Sequence, residues 1–112
     1  MKRALLIALL LLATACREDA RTARGRAAIE RYGCGTCHTI PGVDNASALV
    51  GPPLTGIADR MILAGELPNT PENMIRWIRE PQNVETNTLM PNLGVTERDA
   101  RDIAAYLYTL RQ

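Results

Sequence analysis

The 112 residues contain no phenylalanine, one tryptophan and three tyrosines. Large side chains are therefore scarce for a core that must be close-packed. A buried apolar cofactor would supply the missing bulk. The chain has one histidine, His38, and three cysteines, Cys16, Cys34 and Cys37. A structural zinc site needs four ligands, and Cys16 sits in what reads as an export signal, so the set falls short. A single histidine also excludes a bis-histidine metal centre within one chain. The apolar run from Ala4 to Ala13 is too short to span a bilayer. Neither sign of charge dominates, with 13 basic and 12 acidic residues. Loss of Lys2 and Arg3 with a signal leaves 11 − 12 = −1, and no basic excess for nucleic acid.

What the chain does have is Cys34-Gly35-Thr36-Cys37-His38. This C-x-x-C-H string is the attachment signature of a c-type haem. Two thiols add across the two haem vinyl groups, and the following imidazole coordinates the iron. The turn between the thiols must be small, and Gly35 and Thr36 suit it. The rival reading is a thioredoxin-like redox pair, but that motif follows a strand and opens a helix. No strand pattern precedes Cys34.

The N-terminus reads as an export signal over residues 1–15, with Lys2 and Arg3 as its positive end. Leu12-Ala13-Thr14-Ala15-Cys16 resembles a bacterial lipobox, whose cysteine becomes the lipidated first residue. Ala13 stands where the commonest lipobox has leucine. Ala13-Thr14-Ala15 is equally an A-x-A cleavage site for simple secretion. Lipidation is the reading taken here, because a lone exported cysteine otherwise needs its own explanation. Residues 16–22 then form a short polar tether, and 23–112 the folded domain. The arginines near the tether, Arg17, Arg21, Arg24, Arg26 and Arg31, read as a solvated helix face.

Residues 22–32 are expected to be helical, with Ala23, Ala27 and Ala28 as strong formers and Ile29 and Tyr32 on one face. Gly25 inside this helix calls for close packing against another helix. Gly33 breaks it. Residues 39–55 read as loop, punctuated by Pro41-Gly42 and Gly51-Pro52-Pro53. Residues 57–64 are expected as a short helix ending at Gly65. Thr70-Pro71-Glu72 is a helix start, and Pro81 ends that helix. Residues 82–93 show no period and read as extended loop. Thr96 caps the last helix, with Asp99 in a capping-box position. Ala100, Ile103, Ala104, Leu107 and Leu110 form its apolar stripe.

His38 offers the iron one axial bond. The candidates for the other are Met61, Met74 and Met90. Met61 and Met74 fall in expected helices, where methionine usually fills a core. Met90 lies in the loop before Pro91, and is taken as the ligand. Met/His ligation raises the reduction potential and closes both axial positions. A closed iron suits outer-sphere electron transfer and does not suit substrate turnover, so an enzyme is not expected.

From about residue 22 to 110 the chain resembles a class I c-type cytochrome. The likeness rests on Cys34-Gly35-Thr36-Cys37-His38, Gly51-Pro52-Pro53-Leu54, Arg60, Trp77, Pro81 and Met90-Pro91. It implies an all-α fold, three to four helices wrapped around one covalently bound haem c, with the first and last helices crossing at a glycine. Gly25 and Ile29 would then meet Ile103, Tyr106 and Leu107. The resemblance further implies that the Pro52 carbonyl orients His38, that Leu54 packs on the haem, and that Arg60 partners a propionate. It places Trp77 beside the haem on the methionine side. Leu63-Ala64-Gly65-Glu66-Leu67-Pro68-Asn69-Thr70-Pro71-Glu72-Asn73 and Trp77-Ile78-Arg79-Glu80-Pro81-Gln82 are similar to the cytochrome c domain of subunit II of caa3-type oxidases.

The implied function is single-haem electron transfer at a membrane surface in a respiratory chain. The partners implied are redox proteins: a terminal oxidase, a bc-type complex or a dehydrogenase. The expected location is the periplasmic side of a bacterial membrane, held by lipid at Cys16. Two other readings compete, a cytochrome subunit docked on a dehydrogenase or oxidase, and an open-iron haem enzyme or sensor.

Overall fold

The structure, a computed structural model, describes residues 1–4 and 20–112. Cys16 and residues 5–15 of the expected signal lie outside the described residues. Helix α1 is Lys2–Arg31. Ala20, Arg21 and Thr22, expected in a tether, belong to it. Tyr32 closes the helix with its N–H on the Ala28 carbonyl, 2.9 Å away. Gly33 then turns the chain away at φ 72°, a left-handed conformation that favours glycine.

A 3-10 turn, Cys34–Thr36, follows directly. The segment after it is irregular but stitched. Thr39 and Ser47 form an isolated bridge, and the Ile40 N–H reaches the Ala46 carbonyl at 3.0 Å. Ile40, Val43 and Ala46 are buried. Tyr106 pins the loop to the last helix by donating its hydroxyl to the Pro41 carbonyl at 2.6 Å.

Residues 57–64 depart from expectation. They form a 3-10 turn, Ile57–Asp59, and then strand β1, Ile62–Leu63. Strand β2, Leu67–Pro68, pairs with it antiparallel, with Leu63 opposite Leu67. Ala64 and Gly65 make the reversal at φ 53° and 70°. Two successive positive φ values are a hairpin turn and cannot belong to a helix. Met61 is therefore not core filler in a helix, but 85% exposed at the hairpin's start.

Helix α2 is Pro71–Arg79. The Thr70 hydroxyl accepts the Asn73 N–H at 3.2 Å, and proline fills the first turn, where its missing N–H costs nothing. Pro81 ends α2, as expected, but also opens a one-turn helix α3, Pro81–Val84, inside the expected extended loop. Helix α4 is Glu97–Leu107, capped by Thr96, whose hydroxyl accepts the Asp99 N–H at 3.1 Å.

The core forms where α1, α2 and α4 meet. Ala28 and Ile29 of α1 are buried with Ala100, Ile103, Ala104 and Leu107 of α4, and with Met74 and Ile78 of α2. Gly25 lies against the backbone of Asp102 and the β-carbon of Tyr106. Beside that contact Arg24 pairs with the buried Asp102 carboxylate, Nε to Oδ2, at 3.1 Å. Leu110, the last of the expected stripe, lies beyond the helix and is half-buried.

Candidate functional site

The site starts at the turn that Gly33 releases. Thr36 donates its N–H to the Gly33 carbonyl at 3.0 Å, and Cys37 and His38 both donate to the Cys34 carbonyl, at 3.2 and 3.1 Å. These bonds curl Cys34, Cys37 and His38 onto one tight turn. Gly35 must be glycine, because a β-carbon there would lie 2.8 Å from that of Ala46. The small residue between the thiols is thus demanded by the loop that packs over it.

Both thiols are free and half-buried. Burial pushes the Cys34 thiol above its ordinary pKa. A reactive thiol of a redox pair has the opposite shift. Among the described residues no group of three or more histidine, cysteine, aspartate or glutamate side chains could hold a metal ion.

The second wall is residues 51–54. Gly51 donates to the Cys37 carbonyl at 2.7 Å, and Leu54 to the Thr39 carbonyl at 2.9 Å. The stitching brings the Pro52 carbonyl 2.7 Å from Nδ1 of His38. With Nδ1 donating to that oxygen, Nε2 is the nitrogen left to act as a ligand, and its ring is held in orientation. Gly51 permits the approach, since a β-carbon on it would stand 2.4 Å from Cε1 of the imidazole. Two free thiols and an oriented imidazole on one turn are a donor set that fits haem c.

Arg60 reaches back onto the same wall. Its Nη2 donates to the Pro53 carbonyl and lies 3.5 Å from that of Thr55. Leu54 packs against the core. Trp77 is half-buried on α2, and Met90 is half-buried in the segment between α3 and α4. The Met90 N–H donates to the Thr88 hydroxyl at 3.1 Å, which bends the chain locally. Hydrogen bonds tie residues 37–39 to residues 51–54, and Arg60 to Pro53 and Thr55, while Trp77 and Met90 come from separate elements.

Sequence reasoning passed over Asn69. Its side-chain amide donates to the carbonyls of Ile57 and Arg60, at 3.0 and 2.8 Å. No local signal marks it, since its partners lie 12 and 9 residues away.

The family model described as cytochrome c matches residues 22–111. Cytochrome c oxidase subunit 2 of Alkalihalophilus pseudofirmus is 35% identical over 89 residues, covering 79% of this chain and 25% of that one. Cytochrome c oxidase subunit 2 of Bacillus sp. (strain PS3) is 30% identical over 88 residues, covering 75% of this chain and 25% of that one. The chain thus spans about a quarter of the length of the curated relatives it matches. No solved structure matches.

Proposed function

The chain belongs to the cytochrome c family, as a class I c-type cytochrome, and on that premise we propose that it is a His/Met-ligated, single-haem electron carrier at a membrane surface. Family membership itself implies covalently bound haem c and electron transfer, a carrier's role rather than an enzyme's. Bound haem supplies an iron that gains and loses one electron. The chain's own residues hold it. Cys34 and Cys37 would give the thioether links, and Nε2 of His38 and the Met90 thioether would be the side-chain ligands of its iron. Pro52 keeps the imidazole in one tautomer. Leu54 and Trp77 supply apolar contact, and Arg60 pairs with a propionate.

The observation that carries this reading is the 2.7 Å contact between Nδ1 of His38 and the Pro52 carbonyl, on the turn that bears both thiols. The absorption spectrum of the oxidised protein tests it. The weak long-wavelength band of a thioether–ferric bond is expected. Absence of that band, with rapid carbon monoxide binding to the reduced protein, would favour the open-iron enzyme or sensor.

Residues 1–15 act as the signal, and lipid on Cys16 holds the domain on the periplasmic side of a bacterial membrane. Intact mass of the purified protein tests this part separately, and a mature mass without acyl groups removes it. The partners are redox proteins of a respiratory chain. A second reading, a cytochrome subunit docked on a larger complex, draws support from relatives that are themselves named as oxidase subunits. Co-purification with an oxidase, bc-type complex or dehydrogenase from detergent-solubilised membranes separates the two.

A further inference from the structure

Arg60 sits between a 3-10 turn and a hairpin, with backbone angles of −72° and 141°. Neither a helix nor a sheet ladder holds its carbonyl. The Asn69 side chain holds it instead, with Nδ2 2.8 Å from the Arg60 oxygen and 3.0 Å from the Ile57 oxygen. Both amide hydrogens are thereby used on main-chain acceptors. The amide oxygen in turn accepts the Tyr108 hydroxyl at 2.7 Å. That leaves Asn69 one orientation, because a flipped amide would point an oxygen at two carbonyls and a nitrogen at the Tyr108 oxygen.

Tyr108 follows the last turn of α4, so the amide links that helix to Arg60. The rest of the C-terminal segment grips the same turn. Ala58 donates to the Leu110 carbonyl at 3.2 Å. The Asp59 carboxylate takes Arg111 at 2.9 Å and the Gln112 N–H at 2.8 Å. A β-carbon on Gly56 would lie 2.3 Å from Cγ of Gln112. Residues 108–112 and Asn69 together fix the backbone from which the Arg60 side chain departs. An arginine loses several rotatable bonds' freedom when its guanidinium is placed, so a fixed starting point matters to how well it meets a charged partner.

We propose that Asn69, backed by Tyr108, is a positioning residue for Arg60, and that the C-terminal segment thereby sets how firmly Arg60 holds an ionised haem propionate. This rests on the pairing of Arg60 with a propionate given above. The other charged or titratable groups around the brace are Asp59, already engaged by Arg111, Tyr108 itself, and Glu72, whose charge acts on Tyr108.

The test is a spectroelectrochemical titration of the haem-loaded full chain across acid to mildly alkaline pH. A propionate that ionises near the iron gives the reduction potential an inflection with pH. A well-placed guanidinium keeps that inflection low, since an opposite charge favours the ionised form. Asn69→Leu is expected to move the inflection up by about half a pH unit or more. Tyr108→Phe, which removes one hydroxyl and leaves the packing, is expected to move it the same way by less, and carries the test if Asn69→Leu does not fold. In an Arg60→Leu background neither change should move it further. A lower melting midpoint with an unmoved inflection in both variants would make the brace merely structural and overturn the proposal. So would an equal shift in the Arg60→Leu background. Should Arg60→Leu itself leave the inflection in place, the propionate pairing fails first, and that outcome is distinct from the other two.

Discussion

Gly25 of α1 lies so close to Asp102 of α4 that a β-carbon on it would stand 1.9 Å from the Asp102 carbonyl oxygen. The obstacle is backbone inside a helix, so it cannot swing aside. The two helices meet here only because this position carries no side chain. Gly25→Val is therefore expected to force them apart, at a cost on the order of 1–3 kcal/mol by overpacking. Chemical unfolding of the haem-loaded protein measures it, and an unchanged midpoint would contradict the packing.

A second tie between the same helices is charged. The Tyr32 hydroxyl donates to the Asp99 carboxylate at 2.6 Å, and Arg31 pairs with the same oxygen at 3.0 Å. Tyr32's hydrogen bond, more than Arg31's bond and charge, holds the Asp99 carboxyl below its ordinary pKa. A depressed carboxyl contributes stability that is present above its unfolded pKa and is lost as pH falls through its folded value. Tyr32→Phe should then be less stable than the parent at neutral pH, with the gap closing in acid. Unfolding midpoints of both proteins, followed from neutral pH downward, check this. A gap that stays constant into acid would assign the loss to packing instead.

Gly51 gives a prediction at the site itself. A β-carbon there would come 2.4 Å from Cε1 and 2.8 Å from Nδ1 of His38. Gly51→Ala must push either the imidazole or residues 51–54 away, and so lengthen the bond to the Pro52 carbonyl. The expected result is an altered axial-ligand spectrum in the oxidised protein and a shifted reduction potential. A spectrum and potential identical to the parent's would mean that the wall does not orient the imidazole.

Much of this architecture is legible in the residues. Thr70-Pro71 and Thr96 mark two helix starts because hydroxyl capping is a local interaction, decided within three residues. Gly25 signals a close helix contact because nothing else accounts for glycine among alanines. The stretch 57–64 misleads for the opposite reason. Its composition permits a helix, but Asn69 and Leu110, from further along the chain, take up its carbonyl and amide groups. Ala64 at φ 53° carries no local mark of a turn beyond its neighbour Gly65. Asp99 shows the same limit. It sits where a capping box would place it, yet its carboxylate serves Tyr32 and Arg31 on another helix. At the site, the cysteine–histidine turn is read from five adjacent residues. The brace at Asn69 needs three separate segments and has no signature in any of them.

The proposed closed iron between His38 and Met90 is tested most directly by Met90→Ala. A redox titration of the haem-loaded variant beside the parent, with the oxidised spectra recorded together, is the measurement. Loss of the thioether bond should abolish the weak long-wavelength band and lower the reduction potential, because methionine ligation raises it. A variant that keeps both the band and the parent's potential would contradict the account.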